Sequence, residues 1–148
     1  MSAGRLCVRE VNLGAADESV AAAAQRMAEK GVGTLVILNQ AQRPVGLVTD
    51  RDLVVRVLAA GKDPQTTPLG DVMTRDPKVI SEEGPIESAL GLMRAGGFRR
   101  LPVVNRDGVL VGVLSLDDVL ALFAEEFVQI GGLLQQPKPP PIPSAAAR

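Results

Sequence analysis

Hydrophobic and polar positions alternate along this chain in patterns that predict both helices and strands. Apolar residues recur at helical spacing over 20–27 and again over 86–93, with Asp17 as the expected N-cap of the first helix. A short, continuously apolar run follows each helix, at 34–38 and 101–104. Such runs are typical of strands that are buried on both faces.

Each of these runs leads through a turn into another apolar run, at 45–48 and 109–114, which predicts a hairpin in each half. The hairpins continue directly into second helices, predicted at 50–60 and 116–134, while short strands are predicted at 11–13 and 79–80. Each half therefore has the order strand, helix, strand, strand, helix, and we expect an α+β fold built from two β-α-β-β-α repeats.

The two halves are one sequence written twice, with an offset of 66 residues. Identical pairs at this offset include Arg9/Arg75, Ala23/Ala89, Met27/Met93, Gly31/Gly97, Leu35/Leu101, Asn39/Asn105, Val45/Val111, Gly46/Gly112 and Asp52/Asp118. The offset predicts a first repeat at 5–62, a linker at 63–70, a second repeat with an extended C-terminal helix at 71–134, and a Pro-rich disordered tail at 135–148. Each repeat, at about 60 residues, is near the lower limit for folding alone, so we expect the repeats to pack on each other.

The composition of the chain limits the kinds of catalytic and metal-binding site that it can form. There is no His, and the single cysteine, Cys7, cannot form an internal disulfide or a thiolate zinc site. Cys7 aligns with Met73 at the repeat offset, which favours a small buried hydrophobe over a redox-sensing thiol. No signal peptide or bilayer-spanning apolar run is visible, so we expect a soluble, cytoplasmic protein with no membrane partner.

A hydroxyl residue followed three positions later by an aspartate starts the second helix of each half: Thr49 and Asp52, then Ser115 and Asp118. This spacing is typical of a capping box, in which both side chains accept hydrogen bonds from backbone amides. The same groups also suit a ribose phosphate, because helix-start amides attract phosphate and a carboxylate accepts from two ribose hydroxyls. Repetition of the motif favours the ligand interpretation, whereas a catalytic or magnesium-binding acid pair is disfavoured because adjacent carboxylates point in different directions.

Several segments, in order, resemble the cystathionine beta-synthase (CBS) domain, a tandem pair of which is called a Bateman module. The resemblance covers about residues 5–124, and the matching segments are typical of stand-alone bacterial members of the family. It rests on Val-Gly-Thr-Leu-Val at 32–36, Gly-Leu-Val-Thr-Asp-Arg-Asp-Leu at 46–53, Asp-Val-Met-Thr at 71–74, Arg-Arg-Leu-Pro-Val-Val at 99–104, and Gly-Val-Leu-Ser-Leu-Asp-Asp at 112–118.

The resemblance implies two repeats related by pseudo-twofold symmetry, with clefts between them that bind AMP, ADP, ATP or S-adenosylmethionine. It implies no catalytic residue, no metal and no required cofactor. Thr49 and Asp52 would hold phosphate and ribose in one cleft, and Ser115 and Asp118 would do so in the other. The base would lie, in the first half, near Leu13, Val32, Thr34 and Leu35, and in the second half near Val79, Ile80, Phe98 and Leu101.

Arg99 and Arg100 are the most informative charges, because the first half has Gly33 and Thr34 at the equivalent positions. One interpretation is that both arginines lie over the helix surface with their charge in water. The other is that they bind phosphate through their forked donors, as basic residues of the family do at this place. In that case the two clefts are expected to differ in affinity.

The function expected from the resemblance is a non-catalytic sensor of adenosine-containing ligands that pairs as a homodimer and acts on an unidentified protein target. Apolar positions on the second helices are expected to supply the dimer surface: Leu53, Val54, Val57, Leu58, Val119, Leu120, Leu122 and Phe123. The alternatives are a ligand-free interaction or scaffold protein and a binder of S-adenosylmethionine. A net charge of −1 and only three aromatic residues disfavour nucleic acid.

Overall fold

The computed structural model describes residues 1–138, and most of the predicted tail, 139–148, lies outside this range. It confirms the α+β class, with five α-helices and seven strands in the described part. The helices are α1 (Ala3–Leu6), α2 (Val20–Lys30), α3 (Asp50–Leu53), α4 (Ile86–Gly96) and α5 (Leu116–Leu134). The strands are β1 (Leu13–Gly14), β2 (Thr34–Leu38), β3 (Pro44–Thr49), β4 (Thr74–Arg75), β5 (Ile80–Ser81), β6 (Arg100–Val104) and β7 (Leu110–Ser115).

Each half forms its own sheet around the predicted hairpin. One sheet has the order β1-β2-β3-β4 and the other the order β5-β6-β7, with the first pair parallel and the hairpin antiparallel in both. Leu35 lies opposite Val48, and Leu101 lies opposite Leu114. All four side chains are fully buried, and the apolar faces of α2 and α4 complete the two hydrophobic cores.

The two repeats exchange short segments, a feature that the sequence did not predict. Strand β4 follows the linker, yet it pairs with β3 of the first repeat, where Leu47 lies opposite Thr74. At the equivalent position Val8, which precedes the first repeat, forms an antiparallel bridge with Val113 of the second. Because each contact recurs with its partners interchanged at the 66-residue offset, an approximate twofold axis relates the halves.

Each exchanged segment also packs into the hydrophobic core of the opposite repeat. Leu69 and Val72 are buried in the first core, while Ala3 is buried in the second, with Leu6 and Cys7 packed against it. The N-terminal residues also pack against the second repeat, because Ala3 N, at the start of α1, donates to Gly84 O at 2.8 Å. The predicted repeat boundaries remain predictions, since the exchanged segments belong to one repeat by sequence and to the other by packing.

Gly46 and Gly112 are explained by this exchange. A Cβ on Gly112 would lie 2.6 Å from Cys7 Sγ and 2.8 Å from Val8 O, and a Cβ on Gly46 would overlap the thioether of Met73. The absence of a side chain at these two positions lets the neighbouring repeat's exchanged segment approach the strand closely. Cys7 is half-buried in this contact, and burial raises the pKa of its thiol.

Two helix predictions need correction. The N-cap of α2 is Ser19 rather than Asp17, because Ser19 Oγ accepts a hydrogen bond from Ala22 N at 3.2 Å. The second helix of the first half is α-helical only over Asp50–Leu53 and continues as a π-helical turn, in which Ala59 N donates to Val54 O at 2.9 Å. By contrast, α5 has the predicted bounds.

An ion pair fixes β1 against α2. Arg26 bonds to both carboxylate oxygens of Glu18, and its Nη2 also donates to Leu13 O at 3.1 Å. The Arg26 guanidinium holds the pKa of the Glu18 carboxyl below its usual value. The second half has Gly84 and Leu92 at the equivalent positions, so this pair belongs to the first repeat alone.

Within residues 1–138, no helix combines the length and apolar character needed to cross a membrane.

Candidate ligand-binding clefts

Two clefts lie between the repeats, and each is named here after the aspartate that lines it. The Asp52 cleft has a volume of about 600 Å³, and the Asp118 cleft has a volume of about 290 Å³. Small-molecule sites in proteins usually have volumes of about 300–1,000 Å³, so the first is of ordinary size and the second lies at the lower limit.

Equivalent positions of the two repeats line the two clefts. The Asp52 cleft is lined by Leu47, Thr49, Asp50, Arg51, Asp52, Arg56, Thr74, Asp76, Pro77, Lys78, Gly96, Gly97, Phe98, Arg99, Arg100 and Pro102. The Asp118 cleft is lined by Val8, Glu10, Val11, Asn12, Gly31, Val32, Gly33, Thr34, Val36, Arg100, Val113, Ser115 and Asp118. Twelve residues of the second list are the counterparts, at an offset of 66, of residues in the first.

Each cleft combines a hydroxyl–aspartate pair from one repeat with the β2 or β6 entrance of the other. Thr49 and Asp52 face Phe98 of the second repeat, while Ser115 and Asp118 face Val32 of the first. The sequence-based expectation grouped the base-binding residues by half. The structure instead crosses the halves, because the twofold packing sets the start of each second helix against the opposite repeat.

Both hydroxyl–aspartate pairs form capping boxes. Thr49 N donates to Asp52 Oδ2 at 2.9 Å, and Asp52 N donates to Thr49 Oγ1 at 3.2 Å. Ser115 N donates to Asp118 Oδ2 at 2.8 Å, and Asp118 N donates to Ser115 Oγ at 3.1 Å. Capping therefore uses Oδ2 of each carboxylate and holds the side chain in one orientation, which leaves Oδ1 directed away from the cap.

The second carboxylate oxygens differ between the clefts. Asp52 Oδ1 lies 3.6 Å from Arg56 Nη2, and Arg56 Nη1 also donates to Val72 O at 2.9 Å. The position equivalent to Arg56 is Leu122, so this ion pair has no counterpart beside Asp118. Asp118 Oδ1 has no hydrogen-bond partner or ion pair within the described residues.

The two arginines singled out in the sequence both line the Asp52 cleft. Arg99 lines the Asp52 cleft and pairs with Asp117 at 3.0 Å, with both side chains about two-thirds exposed. Arg100 is half-buried, lines both clefts and makes no side-chain hydrogen bond or ion pair in the described part of the chain. An arginine with unused donors in a cleft is suited to an anionic ligand.

Some of the predicted base-binding residues lie elsewhere. Leu35 and Leu101 are fully buried in the two cores, and Ile80 is only 7% exposed. Leu13 and Val79 are partly exposed and are not among the residues that line either cleft. Strand β2 and strand β6 each turn one face toward the core and the other toward the cleft, so alternate residues of one apolar run have different surroundings.

Several residues that line the clefts were not predicted from the sequence. Asp76 and Lys78 line the Asp52 cleft, and Glu10 and Asn12 line the Asp118 cleft. All four adjoin the exchanged segments, which cross to the opposite repeat. The pattern of apolar and polar residues along the sequence does not indicate that crossing. The repeat offset was the one available signal, since it pairs Glu10 with Asp76 and Asn12 with Lys78.

The fold and the clefts together define a pair of CBS domains. A model of the CBS domain family matches residues 15–59 and 69–125, so the chain belongs to this family.

The chain is 35% identical over 119 residues to hypoxic response protein 1 of Mycobacterium tuberculosis, and the alignment covers 80% of this chain and 78% of that one. It is also 35% identical over 120 residues to the uncharacterized protein MK0525 of Methanopyrus kandleri, covering 81% of this chain but only 61% of that protein.

Solved structures give the same assignment. CBSX2 in complex with AMP has a TM-score of 0.72 and 28% identity, covering 85% of this chain and 98% of that one. Hypoxic response protein I with two coordinated zinc ions has a TM-score of 0.73 and 31% identity, covering 82% and 98%. No cluster of three or more metal-ligating side chains occurs within residues 1–138 of the present chain.

Proposed function

We propose that this chain is a regulatory module that binds adenine nucleotides in the clefts between its repeats and catalyses no reaction itself. The observation that carries the proposal is the arrangement of each cleft. A carboxylate held by a helix cap on one repeat faces glycine and apolar positions of the other, and Arg100 lines both clefts. The AMP complex of the structurally similar CBSX2 supports the choice of ligand class.

The carboxylates would bind ribose. The cap fixes Oδ2 of Asp52 and Asp118, so Oδ1 is the atom available to accept a hydrogen bond from a ribose hydroxyl. Asp118 offers this oxygen without competition, whereas at Asp52 a ribose would share the carboxylate with Arg56. The base would lie against Val32 in one cleft and Phe98 in the other, both of which are half-buried.

Two polar groups without partners fit a bound ligand. Arg100 has unused donors beside both clefts, and Thr34 Oγ1 is buried without a hydrogen-bond partner in the described chain. A buried, unpaired hydroxyl costs about 1–3 kcal/mol. A small rotation of Thr34 toward the Asp118 cleft would let a ligand or an ordered water recover this hydrogen bond.

Calorimetry with AMP, ATP and adenosine tests the proposal. Replacing both carboxylates, as in Asp52→Ala/Asp118→Ala, should abolish measurable binding. The single changes Asp52→Asn and Asp118→Asn keep an acceptor for the cap and remove the charge. A hydrogen bond to a charged group contributes about 1.5–3 kcal/mol, so each change should weaken its own site about tenfold or more.

Asp107→Asn is the matched control, because Asp107 lies in the exposed turn between β6 and β7, outside both clefts. It should leave AMP and ATP affinity unchanged. Unchanged affinity in the double aspartate variant, with the fold intact by circular dichroism, would refute the assigned sites.

A second candidate is an interaction protein that uses its surface and no ligand. The exposed apolar side chains of α5 favour it: Phe127, Val128, Leu133 and Leu134 are 67–81% exposed. A thermal-shift panel of AMP, ADP, ATP and S-adenosylmethionine separates the candidates, because a ligand at about 100 times its dissociation constant stabilises the fold by about 2.7 kcal/mol. A panel that leaves the melting temperature unchanged would favour the interaction protein.

Pairing as a homodimer through the second helices is part of the proposal, with a revised contact surface. Leu53, Val57 and Val119, expected in that surface, face their own cores and are at most 9% exposed. Val54, Leu58, Leu120 and Phe123 remain available, together with the distal part of α5. Burial of such a surface in a second copy would remove apolar side chains from water.

A further inference from the structure

The twofold relation between the clefts allows a position-by-position comparison of their charges. Two acidic positions are kept, since Asp52 corresponds to Asp118 and Asp76 corresponds to Glu10, whereas the counterpart of Asp50 is Leu116. The basic residues are not kept. In the Asp52 cleft they are Arg51, Arg56, Lys78, Arg99 and Arg100, and the equivalent residues are Asp117, Leu122, Asn12, Gly33 and Thr34.

The net charge of the lining residues is therefore positive in the Asp52 cleft and negative in the Asp118 cleft. The residues lining the Asp52 cleft comprise five cations and three carboxylates, with Asp50 as the third acid. Those lining the Asp118 cleft comprise one cation, Arg100, and two carboxylates, Glu10 and Asp118. A cleft lined by one sign of charge concentrates ligands of the other sign.

Three of the five cations that line the Asp52 cleft are available to a ligand. Lys78 is exposed and forms no hydrogen bond or ion pair through its side chain within residues 1–138. The Arg99–Asp117 pair is about two-thirds exposed on both sides, and an exposed pair contributes only about 0–1 kcal/mol, so a phosphate can displace it. Arg100 has no competing partner in the described residues and can turn toward this cleft.

We propose that ligands with a phosphate chain bind in the Asp52 cleft, and that the Asp118 cleft takes an adenine nucleoside without phosphate. This inference rests on the proposed function and narrows it, because nucleotides then bind in the Asp52 cleft and the unphosphorylated nucleoside binds in the Asp118 cleft. The volumes agree with it, since about 600 Å³ accommodates the larger ligand and about 290 Å³ the smaller. Hydrogen bonding also agrees, because the carboxylate in the smaller cleft has an oxygen with no competing arginine.

ADP and adenosine are the probes, titrated by calorimetry at two salt concentrations. The Lys78→Gln/Arg99→Gln variant should bind ADP about tenfold more weakly and with a reduced salt dependence, because two charge-assisted contacts are lost. Its affinity for adenosine should be unchanged. The matched control is Lys62→Gln/Arg106→Gln, which removes the same charges at exposed positions outside both clefts and should bind both probes as the wild type does.

The aspartate variants then assign each probe to a cleft. Asp52→Asn should weaken ADP binding and spare adenosine, and Asp118→Asn should do the reverse. If both probes bind but depend on the same aspartate, the division of ligands between clefts is wrong while the proposed function stands. If neither probe binds the folded wild-type protein, both proposals fail.

Discussion

Replacing Gly112 by alanine should destabilise the fold through the contact between exchanged segments. The new Cβ would lie 2.6 Å from Cys7 Sγ and 2.8 Å from Val8 O, where ordinary contacts begin near 3.4 Å, so atoms must move by about 0.6–0.8 Å. Val8 O cannot yield easily, because it accepts a hydrogen bond from Val113 N at 2.9 Å. Overpacking of this kind costs about 1–3 kcal/mol.

Loss of glycine also restricts the unfolded chain, which offsets about 0.4–1 kcal/mol of that cost. At the upper end of the overpacking range, the net effect should be about 2–2.6 kcal/mol, or a melting temperature about 4–10 °C lower for a chain of this size. Gly46→Ala is the matched comparison. Its Cβ meets the flexible thioether of Met73, which can change rotamer, so the cost should be smaller.

Urea unfolding followed by circular dichroism measures both variants, with the midpoint reporting stability and the slope reporting the surface exposed. A double-mutant cycle of Gly46→Ala with Met73→Ala should show favourable coupling, since removal of the thioether makes room for the methyl group. A Gly112→Ala protein as stable as the wild type, or one more stable than Gly46→Ala, would refute this account of the exchange.

Three further outcomes are expected. Glu18→Gln should destabilise the fold by about 1–2 kcal/mol at neutral pH, because the roughly 1.5–3 kcal/mol of a charged hydrogen bond is reduced by solvent screening of this partly exposed pair. Because folding lowers the pKa of Glu18, its stabilisation is complete above the unfolded pKa of about 4.3 and is lost as pH falls through the folded value, so acid melts of wild type and variant should converge. Cys7 should react with iodoacetamide at pH 7 more slowly than free cysteine, because burial raises its thiol pKa; an equal rate would contradict the packing. Phe127→Asp should shift sedimentation toward monomer if α5 forms the homodimer contact, and an unchanged sedimentation coefficient would argue against it.

Much of the fold was accessible from the pattern of apolar residues. The buried runs of β2 and β6 and the full extent of α5 are long and strongly periodic, so local sequence determines them. Strand β4 is only two residues long and α1 only four, too short for any periodicity to appear. Their positions follow from packing between repeats, which sequence alone does not show.

The candidate clefts were accessible in part. Thr49–Asp52 and Ser115–Asp118 stood out because a capping box has a fixed spacing, and the structure shows both boxes formed. The partners of each box could not be read from the chain, because they depend on how two equivalent halves face each other. Leu35 and Leu101 illustrate the limit: their apolar runs were visible, but which residues of a run face the core was not.

The exchange of edge segments makes the two repeats interdependent. Cutting the chain within the linker would separate each sheet from the strand or bridge that protects its outer edge, and would expose backbone donors on β3 and β7. Neither repeat is thus a self-sufficient building block, despite the near-equal lengths. A duplication with this topology keeps both copies, because deletion of either one leaves the survivor with an unfinished sheet.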